Sequence, residues 1–374
     1  MPPVASSDKN YMVIEGAINT GQDSTIIHLT HTVPLSAPPG VVPTLELNAV
    51  VAIESSANVT YPLKETGNGY YVSAGLNLSS ANKYRLRITT SANKIYVSDF
   101  VAAKNSRPID SVGFQAQNTG VQLYVSTHDA SDTSRYYRYE FNETWIIHAD
   151  YFSGLIAQRT PMEAIVQRPV EDQIYTCWSS DKSSDIIMST TEKLTRDVLV
   201  NSPVTFIDSH SEKLGTRYSI LVKQYVLTKE SFAYYQQLSK NTEKLGNIFD
   251  PQPTTLTGNI HCITDPVEQV IGYITAGSVA QFRLYINKSD LPADADYLVN
   301  GPYQQCFLDT LLYYDPKTRQ DMVEQRIFHG DAIPISSLGP PGRPPIGYTA
   351  SAGICVDCTL RGSNKPPPFW TNQY

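Results

Sequence analysis

Apolar and polar residues alternate along most of this chain with a period of two, the pattern of a strand with one buried face. Within residues 8–104 the alternating runs are short: 11–19, 24–32, 49–54, 59–64, 69–73, 83–89 and 94–101. Turn residues separate them. Thr66-Gly67-Asn68-Gly69 is a hairpin signal and Thr90-Ser91-Ala92-Asn93 a looser one. This spacing predicts an immunoglobulin-like or fibronectin-like sandwich over 11–104, without the internal cysteine pair of the antibody version. The polar, proline-closed stretch Lys104-Asn105-Ser106-Arg107-Pro108 marks a boundary.

Residues 109–374 read as a larger β-rich domain. A hairpin is predicted at 110–116 and 120–126, then a long strand over 135–148. On that strand Tyr137, Tyr139, Phe141, Glu143 and Trp145 share one face, and Tyr136, Arg138, Glu140 and Asn142 the other. Residues 150–172 read as an irregular excursion. Strands resume at 173–179, 185–189, 204–207 and 217–227, and again at 258–263 and 270–286. The last is too long for one straight strand, and Gly272 and Gly277 mark bends in it. Residues 287–353 are rich in loops and proline.

One stretch changes period. Phe232, Tyr235, Leu238, Thr242 and Leu245 recur every three or four residues, which predicts one main α-helix over about 229–245. Thr228 suits the N-cap, Glu230 the first turn, Lys244 the last turn and Gly246 the stop. Ile248 and Phe249 then lead into an Asp250-Pro251-Gln252-Pro253 turn. Such a helix is marginal alone in water, so its apolar face is expected to lie on a sheet.

Composition sharpens this picture. The chain has 374 residues, enough for two domains, and its 24 tyrosines beside only 17% charged residues favour a mostly β architecture. A net charge of −7 disfavours a protein that tracks nucleic-acid phosphates. No apolar run is long enough for a membrane-spanning helix. Residues 1–10 form a polar leader suited to a tether. The five cysteines, Cys177, Cys262, Cys306, Cys355 and Cys358, are disulfide candidates: in an exported protein they allow two bridges and one thiol. Cys355 and Cys358 either bond to each other or hold separate partners.

A search for chemistry returns little. His28 and His31, three apart on a strand, fall on opposite faces and do not chelate together. Cys355-Val356-Asp357-Cys358 lacks the second pair that a zinc site needs. Asp129 and Asp132 lie in a polar loop without a calcium-binding pattern and are expected to cap a solvated loop. The nucleophile-elbow, phosphate-loop, zincin and dinucleotide motifs are absent. Glu140 and Glu143 point to opposite faces of their strand. No catalytic residue, metal site or cofactor is predicted. What remains is an aromatic set with polar edges: Tyr136, Tyr139, Trp145, Tyr151, Tyr175 and Trp178, suited to glycan or protein contact or to cross-strand packing.

Four stretches carry a resemblance. KLGNIFDPQPTTLTGNIHC at 244–262, VIGYITAGSV at 270–279, CVDCTLRGSNKPPPFW at 355–370 and YMVIEGAINTG at 11–21 resemble a Bacteroidota family of surface lipoproteins known only as a domain of unknown function, DUF4249. The resemblance covers nearly the whole chain. It implies a secretion signal ending in a lipidated cysteine upstream of a leader such as 1–10, so Met1 is expected to follow a removed segment. It also implies an accessory subunit beside a TonB-dependent outer-membrane transporter, in nutrient capture or envelope assembly; the missing catalytic constellation makes the expected role non-enzymatic, and the aromatic set makes a glycan or peptide the expected ligand. Membrane contact is then expected through the N-terminal lipid. An adhesin or structural surface protein is the alternative, and a hydrolase with scattered catalytic residues a more distant one.

Overall fold

Alternation builds the strands, and in the computed structural model their pairing joins most of them into one sheet. Residues 10–33, 37–38, 40–160, 162–243, 257–292 and 305–370 are described. The first strands are β1 (Met12–Asn19), β2 (Thr25–His31), β3 (Val50–Ser55), β4 (Thr60–Gly67), β5 (Tyr70–Ser73), β6 (Lys83–Thr89), β7 (Ile95–Ser98) and β8 (Val101–Asn105). Next come β9 (Ile109–Gln117), β10 (Gly120–His128), β11 (Tyr136–His148), β12 (Leu155–Gln158), β13 (Ala164–Gln167), β14 (Thr176–Lys182), β15 (Ile187–Thr190), β16 (Val198–Asp208) and β17 (Arg217–Leu227). After helix α1 (Lys229–Glu243) follow β18 (Ile260–Cys262), β19 (Val270–Ile271), β20 (Ala276–Asn287), β21 (Asp309–Leu312), β22 (Ala332–Leu338), β23 (Gly347–Ala352) and the short helix α2 (Gly353–Val356).

The fold is mostly β, as the alternation predicts. Hydrogen bonding runs without a break through β14-β11-β17-β20-β1-β2-β5-β4-β3-β6. Strand β8 pairs with both β6 and β20, so β20-β1-β2-β5-β4-β3-β6-β8 closes on itself. Closure removes the open strand edges that otherwise invite association. Inside lie Ile14, Ile18, Ile27, Leu29, Ile53, Tyr71 and Leu86. Ile260, Cys262, Val270 and Ile274, from far downstream, pack into the same core. Close strand approach explains two glycines. A Cβ on Gly272, which has φ +146°, would stand 2.3 Å from the Ile14 carbonyl oxygen, and one on Gly277 would stand 2.2 Å from that of Lys104.

The other half of the long sheet, β14-β11-β17-β20, covers a second core. Tyr137, Tyr139 and Phe141 of β11, with Ile220 and Val222 of β17, pack against Ile109, Val121, Leu123 and Val204 from the three-stranded sheet β16-β10-β9. Strand β20 therefore belongs to both halves. It pairs antiparallel with β17 over Arg217↔Asn287 to Tyr225↔Val279, and parallel with β1 at Ile18↔Ala276.

Several expectations shift in detail. The 270–286 run is two strands, β19 and β20, with the chain leaving the ladder at Gly272 as expected; Gly277 marks no bend but lies inside β20, paired with Asn19 and Lys104, where only a glycine lets the Lys104 backbone approach. The 94–101 run divides into β7 and the start of β8. The excursion at 150–172 holds the small hairpin β12–β13. Within the 287–353 stretch, described residues of β21-β23-β22 form a sheet over a core of Leu311, Val323, Phe328 and Tyr348, where the prolines had suggested loops.

Helix α1 starts where expected. The Thr228 hydroxyl accepts from the Ser231 amide at 3.2 Å, and its carbonyl from Phe232 at 3.0 Å. Lys244, Leu245, Gly246, the following Asp250–Pro253 turn and residues 1–9 lie outside the described residues, as does the side chain of Thr242. The deepest helix residues are Ser231 and Tyr234, while Phe232, Tyr235 and Leu238 are half-buried. The expected face is turned inward, yet it roofs a cleft and is only partly covered.

Cysteine pairing resolves the open alternative. Cys355 and Cys358 hold separate partners, in Cys306–Cys355 and Cys177–Cys358 bridges, and Cys262 is a buried free thiol. The bridges anchor the C-terminal segment to β14 and its neighbours. Trp370 completes the attachment, edge-on to Trp178 at 6.3 Å and Tyr285 at 5.8 Å. Among the described residues no helix is long and apolar enough to cross a membrane.

Candidate functional site

Because side chains alternate across a strand, burying one face of β11 and β17 in the second core turns the other face outward. That outward face continues across β20, β1 and β2, and α1 lies over it. Between them is a cleft of about 990 Å³. Its floor carries Arg138 and Glu140 from β11, Leu221, Lys223 and Tyr225 from β17, and Gly277, Val279 and Gln281 from β20. Val13, Glu15, Ala17 and Asn19 of β1 extend the floor, and Asp23, Ser24 and Ile26 close its far end. Tyr234, Tyr235 and Leu238 of α1, with Tyr273 from the loop between β19 and β20, form the roof. Ser184 to Ile186 form a side wall.

Arg138 organises one end. Its guanidinium carbon lies 4.6 Å from the Tyr225 ring centroid and 4.7 Å from that of Tyr235. Its Nη1 donates to Glu140 at 2.7 Å, and the Tyr225 hydroxyl donates to the other Glu140 oxygen at 2.8 Å. Burial works against the charge on Arg138, but Tyr235, Glu140 and Tyr225 outweigh it and raise its pKa above the ordinary value. Burial, then the Glu140 carboxylate, pushes the Tyr225 phenol up. Tyr234 is likewise raised by burial and contacts Tyr273 at 5.0 Å. This end is a cation held between the Tyr225 and Tyr235 rings.

Lys223 is more available. It stands opposite the engaged Glu140 in the β11–β17 register and opposite Gln281 in the β17–β20 register. Gln281 Nε2 donates to Asp23 at 2.8 Å. Among the described residues nothing pairs with the Lys223 ammonium, a half-buried donor near the middle of the floor. Glu15 at the margin faces His28 Nδ1 at 3.2 Å.

The aromatic set singled out in the sequence does not gather in this cleft. Tyr136 contacts Phe232 of α1 at 5.1 Å. Tyr139 is buried in the second core. Trp145 is buried there too, its indole N–H donating to Glu212 at 3.2 Å. The Tyr151 hydroxyl donates to the Cys306 carbonyl at 3.4 Å. Tyr175 packs between His148 at 5.0 Å and Phe152 at 5.7 Å. Trp178 is buried against Trp370. The cleft residues that aromatic content did not select, Arg138, Glu140, Lys223, Tyr225 and Gln281, carried a weaker signal: polar side chains at period two on strands whose alternate positions are apolar.

The other candidates have structural partners. His28 and His31 bind Glu15 and Glu46 separately. Asp129 departs from the solvated loop expected of it. It is 2% exposed and accepts from the amides and hydroxyls of Ser131, Thr133 and Ser134, and from Arg107 at 3.0 Å. Ligand atoms of Glu163, Glu324 and His329 lie within 4.8 Å of one another at the surface, with Glu324 and His329 already paired at 2.8 Å.

Residues 1–283 match the family described as Domain of unknown function (DUF4249). The chain belongs to this family. No curated protein matches it. In this DUF4249 member the matched span contains every residue that lines the cleft, and it stops short of the bridged C-terminal segment.

Proposed function

We propose that this protein is an exported lipoprotein of the outer-membrane surface, serving a TonB-dependent transporter as a non-enzymatic binding or accessory subunit. The observation that carries the reading is the cleft itself. It is built on the sheet that both halves share, so its floor and the junction between the halves are one continuous hydrogen-bonded element. Its size falls in the range of small-molecule sites, about 300–1,000 Å³. Its buried end is tied together: Glu140 accepts from both Arg138 and Tyr225. Groups so paired fix a shape, which suits recognition. The two disulfides fit an oxidising compartment outside the cytosol. The anchor and the transporter are carried over from the resemblance of residues 11–21, 244–262, 270–279 and 355–370 to surface lipoproteins.

Affinity purification of the tagged protein from its native membranes, in gentle detergent, tests this reading. A transporter barrel recovered in stoichiometric amount supports it. The chain recovered alone counts against it and favours an adhesin or structural role.

A further inference from the structure

We propose that the cleft between α1 and the shared sheet binds a short, uncharged oligosaccharide, a ligand class that deepens the binding role proposed above and rests on it. Three observations converge on that chemistry. The first is the polar row across the floor. Glu140, Lys223 and Gln281 stand in register on adjacent strands, and Gln281 continues to Asp23. A carboxylate only accepts, an ammonium only donates, and an amide does both. A row that alternates in this way complements hydroxyl groups, each of which donates and accepts. Lys223, half-buried and unpaired among the described residues, is the donor that such a ligand would satisfy.

The second observation is the roof. Tyr234, Tyr235 and Tyr273 present ring edges and faces with polar tips, next to the apolar Leu238. Aromatic surfaces of this kind cover the C–H faces of a sugar, and the roof is held in place by the Tyr234 hydroxyl at the Gly272 backbone and the Tyr273 hydroxyl at Thr228. The third is charge and backbone. The cleft sets Arg138 and Lys223 against Glu15, Asp23, Glu140 and Asp185, a balance unsuited to a polyanion. An extended peptide would be captured on a strand edge, but the floor strands are paired on both sides. Recognition from this floor comes from side chains.

The test titrates the intact protein with a set of neutral trisaccharides of different linkage, namely maltotriose, cellotriose, laminaritriose, mannotriose and chitotriose, and with trialanine as the peptide probe. Binding is read by calorimetry and by ligand-observed NMR. The expected result is that at least one trisaccharide binds and trialanine does not. Lys223→Met and Tyr235→Ala then weaken binding about tenfold or more, at retained cooperative melting. Gln281→Ala, at an exposed floor position, gives the same reading if either of the others fails to fold. The proposal is overturned if no trisaccharide binds, if trialanine binds in preference, or if the folded variants bind as the parent does. The transporter co-purification is independent: a barrel without sugar binding removes only the ligand class, and sugar binding without a barrel removes only the accessory role.

Discussion

Arg138 and Tyr225 face each other across adjacent strands, with the guanidinium carbon 4.6 Å from the ring centroid. The contact joins β11 to β17, and Tyr235, 4.7 Å from the same guanidinium, joins both to α1. Partly desolvated cation–π contacts are worth about 1–2 kcal/mol, and stranding a paired charge costs more. Arg138→Met is therefore expected to lower stability by about 2–4 kcal/mol, read from urea unfolding. Tyr235→Leu should cost about 1 kcal/mol. The double variant should cost less than the sum, and strict additivity would show that the stack carries no energy.

The Asp129 loop gives a second expectation. Burial pushes this carboxyl up, but hydrogen bonds from Ser131, Ser134 and Thr133 outweigh burial and hold it far below the usual carboxylate range. A depressed folded pKa contributes stability that is present above the unfolded value of about 3.9 and is lost as pH falls below it. Asp129→Asn should cost on the order of 3 kcal/mol near neutral pH, with the deficit shrinking below about pH 4. Denaturant midpoints at the two pH values check both statements.

Burial sets the direction in which the His148 imidazole is shifted. It is half-buried beside Tyr175 and Thr176, and burial lowers its pKa. The unfolded chain then takes up the proton first, so stability present above about pH 6.5 declines as the solution is acidified. The urea midpoint of the parent should fall more between about pH 7.5 and about pH 5.5 than that of His148→Gln. Equal slopes would mean that the imidazole titrates as it does in the unfolded chain.

Bridge pairing has its own test. Non-reducing peptide mapping should recover Cys177 with Cys358 and Cys306 with Cys355, and Cys262 should react with thiol reagents only on unfolding. Removing the Cys177–Cys358 bridge with paired serines should cost about 2–5 kcal/mol. Recovery of a Cys355–Cys358 peptide would contradict the attachment of the C-terminal segment.

Much of the fold was legible because alternation is local. The period-two pattern of β11 put Tyr137 and Tyr139 on one face and Arg138 and Glu140 on the other, and the structure keeps that division. The cap at Thr228 was equally local. Long-range closure was not legible. Nothing near Ile260 or Val270 announces that they fill a core begun at Met12, because strand partners are selected by packing across more than two hundred residues. The cleft was missed for a related reason. Aromatic side chains fill cores as readily as they line sites, and Tyr139, Trp145 and Trp178 went to cores. The cleft emerges only when Glu140, Lys223 and Gln281, far apart in the chain, come into register.

Native mass spectrometry of the protein released gently from its own membranes tests the central claim most directly. The account predicts two noncovalent companions: a transporter-sized barrel, and a small ligand that Lys223→Met loses while keeping the barrel. A chain that flies bare, or a ligand retained unchanged by Lys223→Met, would contradict it.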